Sequence, residues 1–342
     1  MSNKELKRLV ATLERDITFA TSSDDILRAA QKAKNFRRPL VYNHKQPIAI
    51  GAAASLIALI WIMAPTLGWS FLPRWDVNGN EWVVFTNIIF IIIAIFCFSR
   101  VFLDNRKVAQ IAKLAFQKDA LLDNNLRIKA PFNAQEMQIR FAEFDRGNYT
   151  RLFKQVIGGE YKGEFHTFTF DYYHFHYVDK RTETYVTSSN GRTQTRTRTV
   201  YDKFDRYGLI IPFKYAKSLQ IYRFKPPRLY PQSYSTGSLR FDKLFTVRSV
   251  DEMQAAKFFK PAVVVALEEV ANLFQHLNIE IDATGLMCFS FANKNMIMGN
   301  QRYDFTKPVE FYDELAGQTK LRLLDRALRT IEQVLRHSDS NF

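Results

Sequence analysis

Residues 47–69 read PIAIGAAASLIALIWIMAPTLGW, and residues 82–99 read WVVFTNIIFIIIAIFCFS. No Asp, Glu, Lys or Arg falls between Gln46 and Pro73 or between Trp82 and Ser99, and the second run stops at Arg100. A helix rises about 1.5 Å per residue, so roughly 20 apolar residues cross the ~30 Å hydrocarbon layer of a bilayer. Both runs reach that length. A buried helix of a water-soluble domain needs polar positions on one face, and the second run nearly lacks them. The pair predicts a helical hairpin through a membrane.

The flanks give that hairpin a direction. The segment before it carries Arg28, Lys32, Lys34, Arg37, Arg38 and Lys45, and the segment after it carries Arg100, Arg106, Lys107, Lys113 and Lys118. The connecting loop, Ser70 to Glu81, has one Arg. The bias of Lys and Arg toward the cytoplasm places both termini inside, with a short external loop. Trp61, Trp69, Trp75 and Trp82 lie in or beside the runs, as amphipathic indoles do at a headgroup boundary. Pro65 is expected to kink or end the first helix. Asn87 either bonds the neighbouring helix or is tolerated near a helix end. With 46 mostly polar residues before the first run, a cleaved signal peptide is not expected.

The remainder of the composition describes a folded protein. The chain has 342 residues and a formal net charge of +14, and 47% of it is hydrophobic, enough for a full core. Mean hydropathy is −0.22, which excludes a polytopic transporter with most of its mass in lipid. Two Cys exclude a disulfide framework and a Cys-rich zinc module, and fit a reducing compartment.

Four segments follow from the pattern. Residues 1–46 form a cytoplasmic amphipathic helical segment, with Leu6, Leu9, Val10, Leu13 and Ile17 on one face and a second helix capped by Ser23 or Asp24. That face rests either on lipid or on the protein itself. Residues 47–104 are the transmembrane hairpin and 105–134 a helical stalk. Residues 135–342 form a cytoplasmic α+β domain with mainly antiparallel strands. Within it, 134–156 has helical spacing, Gly158-Gly159 reads as a turn, and EYKGEFHTFTFDYYHFHYVD is strand-like in its aromatics and Thr. Asn190-Gly191 between two Thr-rich arms signals a β-hairpin. YGLIIPFK, SLQIYRF, NIEIDA, GLMCFSFAN and NMIMG are further strands. DEMQAAKFF, PAVVVALEEVANLFQHL and the stretch from Leu321 to Leu335 are helices.

These stretches resemble a known family. VIGGEYKGEFHTFTF, DRYGLIIPF, FDKLFTVRSVDEMQAAKFFKPAVVVALEEV and LMCFSFANKNMIMG are similar to the bacterial membrane-protein family called domain of unknown function 3137, over roughly residues 105–335. The resemblance implies paired membrane spans before a soluble domain in the bacterial inner membrane, and implies no known activity. The basic TRTRT arm departs from the family pattern.

Three chemistries deserve weighing. His174 and His176 share a strand face, with His166 in the same parity, which can begin a metal site; no third ligand stands at a standard spacing, and an aromatic sheet surface is the plainer reading. Arg192, Arg196 and Arg198 alternate with Thr on one hairpin face and suit an acidic protein partner or anionic lipid headgroups, against the plainer reading of a charged edge that discourages strand pairing. Nucleic acid is disfavoured, because the charge is spread and no recognition module appears. No G-x-S-x-G, H-E-x-x-H, phosphate-binding loop or C-x-x-C is present, so no catalytic residue, cofactor or metal is assigned. Gly158-Gly159, the adjacent Glu268 and Glu269, Asp282 and Asp304 carry no signature either. The expectation is a membrane-anchored, non-catalytic scaffold or regulatory protein. An uncharacterised membrane-bound enzyme with a polar pocket and an oligomeric pore built from the spans are the alternatives.

Overall fold

The computed structural model describes residues 3–36, 38–63, 81–189, 192–293, 296–297 and 299–338, without the side chains of 81–83, 187–189 and 192–194. Arg37, Pro65, Trp69, Trp75, the loop around them and the Asn190-Gly191 turn lie outside the described residues, as does the side chain of Trp82. Contacts divide the chain into two units, residues 1–120 with 299–319, and residues 121–298 with 320–342.

The first unit is helical. α1 (Asn3–Phe19) buries Leu6, Val10, Leu13 and Ile17, so its apolar stripe is covered by protein. α2 (Ser23–Asn35) packs against it, and its cap is Ser22, in a reciprocal capping box with Asp25, one residue before the expected Ser23. α3 (Lys45–Met63) and α4 (Glu81–Asp123) are each long and apolar enough to cross a membrane. They run antiparallel, because His44 Nε2 meets Asn105 Oδ1 at 3.2 Å and Asn87 Nδ2 donates to the Ala58 carbonyl at 3.5 Å. Asn87 is thus buried in the seam and bonds the neighbouring helix. Small residues let the helices approach: a Cβ on Gly51 would lie 3.2 Å from that of Cys97. Lys107 reaches Glu14 at 2.7 Å, and Lys118 Nζ donates to the carbonyls of Ile17, Thr18 and Ala20 at the end of α1. α4 has no Gly or Pro, so the apolar run and the stretch after it are one 43-residue helix.

The second unit is a nine-stranded sheet. β1 (Arg127–Lys129) follows the stalk at once, so the helix ends at Asp123, short of the expected 134. Next come α5 (Ala134–Arg140), a 3-10 turn (Ala142–Phe144), β2 (Thr150–Lys162), β3 (Thr167–Ser189), β4 (Arg192–Pro212), β5 (Leu219–Tyr222) and β6 (Gln232–Tyr234). α6 (Leu239–Leu244), β7 (Thr246–Ser249), α7 (Glu252–Phe258), α8 (Pro261–Ala271), β8 (Asn278–Ile281) and β9 (Leu286–Phe291) follow. α9 (Pro308–Leu315) belongs to the helical unit, and α10 (Arg322–Ser338) returns to the sheet unit. The order is β1-β2-β3-β4-β9-β8-β5-β7-β6, and every described pairing is antiparallel. The α+β class with an antiparallel sheet stands.

Three local expectations fail for identifiable reasons. Residues 150–156 are strand: Leu152, which follows Met137, Phe141 and Phe144 at helical spacing, is exposed, and Phe153 and Val156 supply the buried face across a bulge at Lys154. Gly158-Gly159 lies mid-strand and makes no turn; a Cβ at Gly158 would collide with Lys129, which pairs with Asp171 across it. Met296 and Ile297 form a turn in place of the expected strand. One sheet face packs Met137, Phe141 and Phe144 against Phe153, Tyr173 and Phe175. On the other, Phe258 meets Phe213, and Phe274 meets Phe289 and Phe291.

Candidate functional site

β3 and β4 pair without a register break from Asp171↔Ile210 to Ser189↔Arg192. Their neighbours stop far short of the end: β2 leaves β3 at Val178, and β9 meets β4 only from Tyr207. Beyond those points the two strands continue alone as an arm about 35 Å long at 3.3 Å per residue. An isolated two-stranded ribbon is marginal in water, so cross-strand pairs must hold it. Arg181 is ion-paired with both Asp202 and Glu183, Arg198 reaches Glu183 at 2.8 Å, and the Arg198 guanidinium lies over the Tyr185 ring. Thr182 faces Thr199 and Thr184 faces Thr197. Strand alternation sorts these residues into a charged face with Arg181, Glu183, Tyr185, Arg196 and Arg198 and a Thr face with Thr182, Thr184, Thr195, Thr197 and Thr199.

Arg196 and Arg198 therefore share one exposed face, and Arg192 has the same parity in the backbone, its side chain lying outside the described residues. The acids on the arm lie in its inner part. Residues 184–200 contain three Arg and no Asp or Glu.

The root of the arm is built differently. One oxygen of Asp205 accepts hydrogen bonds from His174 Nε2 at 2.7 Å, His176 Nδ1 at 2.9 Å and Lys154 Nζ at 3.0 Å. Burial opposes the Asp205 charge, but these donors outweigh it and hold the carboxyl below its ordinary range; burial likewise lowers His174. His166 stands apart, its backbone N–H donating to Glu332. Among the described residues no three His, Cys, Asp or Glu are placed to hold a metal ion. Tyr177 stacks on Phe204 and Tyr149 meets Tyr201, which flank the same stretch.

Beneath the root lies a polar network that the sequence did not reveal. Arg206 is paired with Glu143 and donates to Ser290 Oγ at 2.8 Å and the His276 carbonyl at 3.0 Å. Glu143 also takes Arg146 at 2.9 Å and Asn278 Nδ2 at 2.9 Å. Glu280 accepts the backbone N–H groups of Ala142 and Glu143 at 2.8 and 2.6 Å, pinning the 3-10 turn to β8. Both carboxyls are buried, at 0% and 3% exposure. Their environments separate them. Burial raises Glu143, but the guanidiniums of Arg206 and Arg146 bring it down to about 2; burial and the Glu143 charge push Glu280 up to about 7. Asn278 and Glu280 alternate with Ile279 and Ile281, a pattern that reads as one solvated face, whereas all four are buried.

A cleft of about 480 Å³ lies between the end of β2 and α10, lined by Tyr161, Lys162, Phe165, Arg329, Glu332 and Arg336 among others. Its central groups are engaged in structure: Glu332 accepts from Tyr161 Oη and the N–H groups of Phe165 and His166, and Arg329 pairs with Asp325. Comparison with protein-family models, curated proteins and solved structures finds no match for the chain.

Proposed function

We propose that this is a bacterial inner-membrane protein of the domain of unknown function 3137 family, anchored by α3 and α4 with both termini in the cytoplasm. In this reading it is a non-catalytic scaffold or regulator that docks an acidic protein partner on the charged face of its arm. The membrane anchor is supported by the broad exposed apolar surface of the two helices, from Ile48 to Met63 and from Phe85 to Leu103, larger than a water-soluble chain tolerates. The observation that carries the docking role is the outer arm: Thr195 to Thr199 is exposed, contributes nothing to the core, and presents Arg196 and Arg198 side by side. A guanidinium pair at that spacing suits carboxylates.

The test is co-purification with the detergent-solubilised full chain beside an R196E/R198E variant. A stoichiometric protein retained by the first and lost by the second supports the reading. Equal retention by both, or arm-dependent binding to anionic vesicles alone, overturns it.

A further inference from the structure

We infer that the helical hairpin holds one anionic phospholipid, with an acyl chain in a groove between α3 and α4 and its headgroup phosphate between Lys45 and Arg106; this rests on the membrane reading above. The groove has a volume of about 560 Å³ and is lined by Ser55, Ala58, Leu59 and Ile62 of α3 and by Ile91, Ala94, Ile95, Phe98 and Ser99 of α4. Its two hydroxyls are turned back on their own helices, Ser55 to the Gly51 carbonyl at 2.8 Å and Ser99 to the Phe96 carbonyl at 2.9 Å. The wall therefore offers hydrocarbon contact and no free donor, and it runs about 12 Å along α4.

Helical periodicity extends this wall toward the cytoplasmic end. On α4 the lining positions 91, 95 and 98 continue to Phe102 and Arg106, and on α3 position 55 continues back through Ile48 to Lys45. Phe102 is exposed, and the Arg106 guanidinium lies 5.9 Å from its ring centroid. The His44–Asn105 contact sets Lys45 and Arg106 at the same level of the two helices. Neither Lys45 nor Arg106 has a carboxylate within ion-pair distance among the described residues. Two cations at the mouth of an apolar groove, at headgroup depth, complement a molecule with a phosphate at one end and a hydrocarbon chain at the other. They also disfavour a second copy of the hairpin as occupant, since its own Lys45 and Arg106 would meet like charge. Arg100, about half a turn round α4 from the groove, provides an internal control.

The experiment is native mass spectrometry of the detergent-solubilised full chain offered phosphatidylglycerol and phosphatidylcholine with identical acyl chains. Phosphatidylglycerol should be retained over phosphatidylcholine by about thirtyfold for the two charges. K45Q/R106Q should bring the two lipids to parity while R100Q leaves the preference intact. Leu59→Trp or Ile95→Trp, both at exposed groove positions, should lower retention of both lipids. Equal retention of the two lipids, an equal loss in R100Q, indifference to both Trp variants, or a lipid-free dimer would each overturn the inference. Failure of the membrane reading is seen separately, as a chain that fractionates with soluble protein before any detergent is added.

Discussion

β3 and β4 run through both the root and the tip of the arm, yet charge is placed in opposite ways at the two ends. At the root, Arg206, Glu143 and Glu280 are sealed from water and each is met by several hydrogen bonds. At the tip, the arginines stand exposed on a ribbon that supports nothing beyond itself. A buried charge is tolerated only when its partners are complete, so root charges are bound up with folding. The tip charges carry little of the folding energy, since the Arg198–Glu183 pair is solvent-exposed, and the docking surface is proposed there.

Substitutions at the two ends test this contrast. The largest effect is expected at Arg206→Ala, which strands Glu143 without its main partner and should cost about 3–5 kcal/mol, read by denaturant titration with circular dichroism. All four Trp lie within residues 61–82, so indole fluorescence would report the hairpin instead. Next is Glu280→Gln. A carboxyl held near 7 when folded, against an ordinary 4.5, favours folding fully below 4.5 and loses that contribution as pH rises through 7. The stability difference between wild type and variant should therefore change by an amount on the order of 3 kcal/mol across that window. A pH-independent difference would mean that Glu280 is not the titrating group. Phe204→Ala removes the stack on Tyr177 at the base of the arm and should cost about 1 kcal/mol. Last is R196E/R198E, which breaks the exposed Arg198–Glu183 pair and should cost no more than about 1 kcal/mol while abolishing partner retention. A melting point lowered as far as in Arg206→Ala would erase the distinction between root and tip.

How much of this was legible beforehand follows the same divide. The arm could be read because Asn-Gly between Thr-rich flanks is a local signal, and the hairpin helices because their apolar runs are long. The root could not. Its residues come from four distant stretches, and Glu280 sits in an alternating strand whose polar positions look solvated until the 3-10 turn covers them. Spacing misled at Leu152, which stands eight residues after Phe144 as on a helix face but is exposed on a strand. The placement of residues 299–319 with the helical unit left no local mark either, since it rests on contacts such as Lys34 with Asp313 and Leu40 with Phe305.

The unbroken α4 has a mechanical consequence. A helix of 43 residues without Gly or Pro is a stiff rod of about 65 Å. Some 20 residues beyond Leu103 make a lever arm of about 30 Å. For a rod anchored in a bilayer as proposed, a change in thickness that tilts it by about 10°, well within the range of spanning helices, swings its Asp123 end sideways by roughly 5 Å. In the membrane reading proposed above, tension in the lipid is thus converted into displacement at Asp123 without any hinge to absorb it.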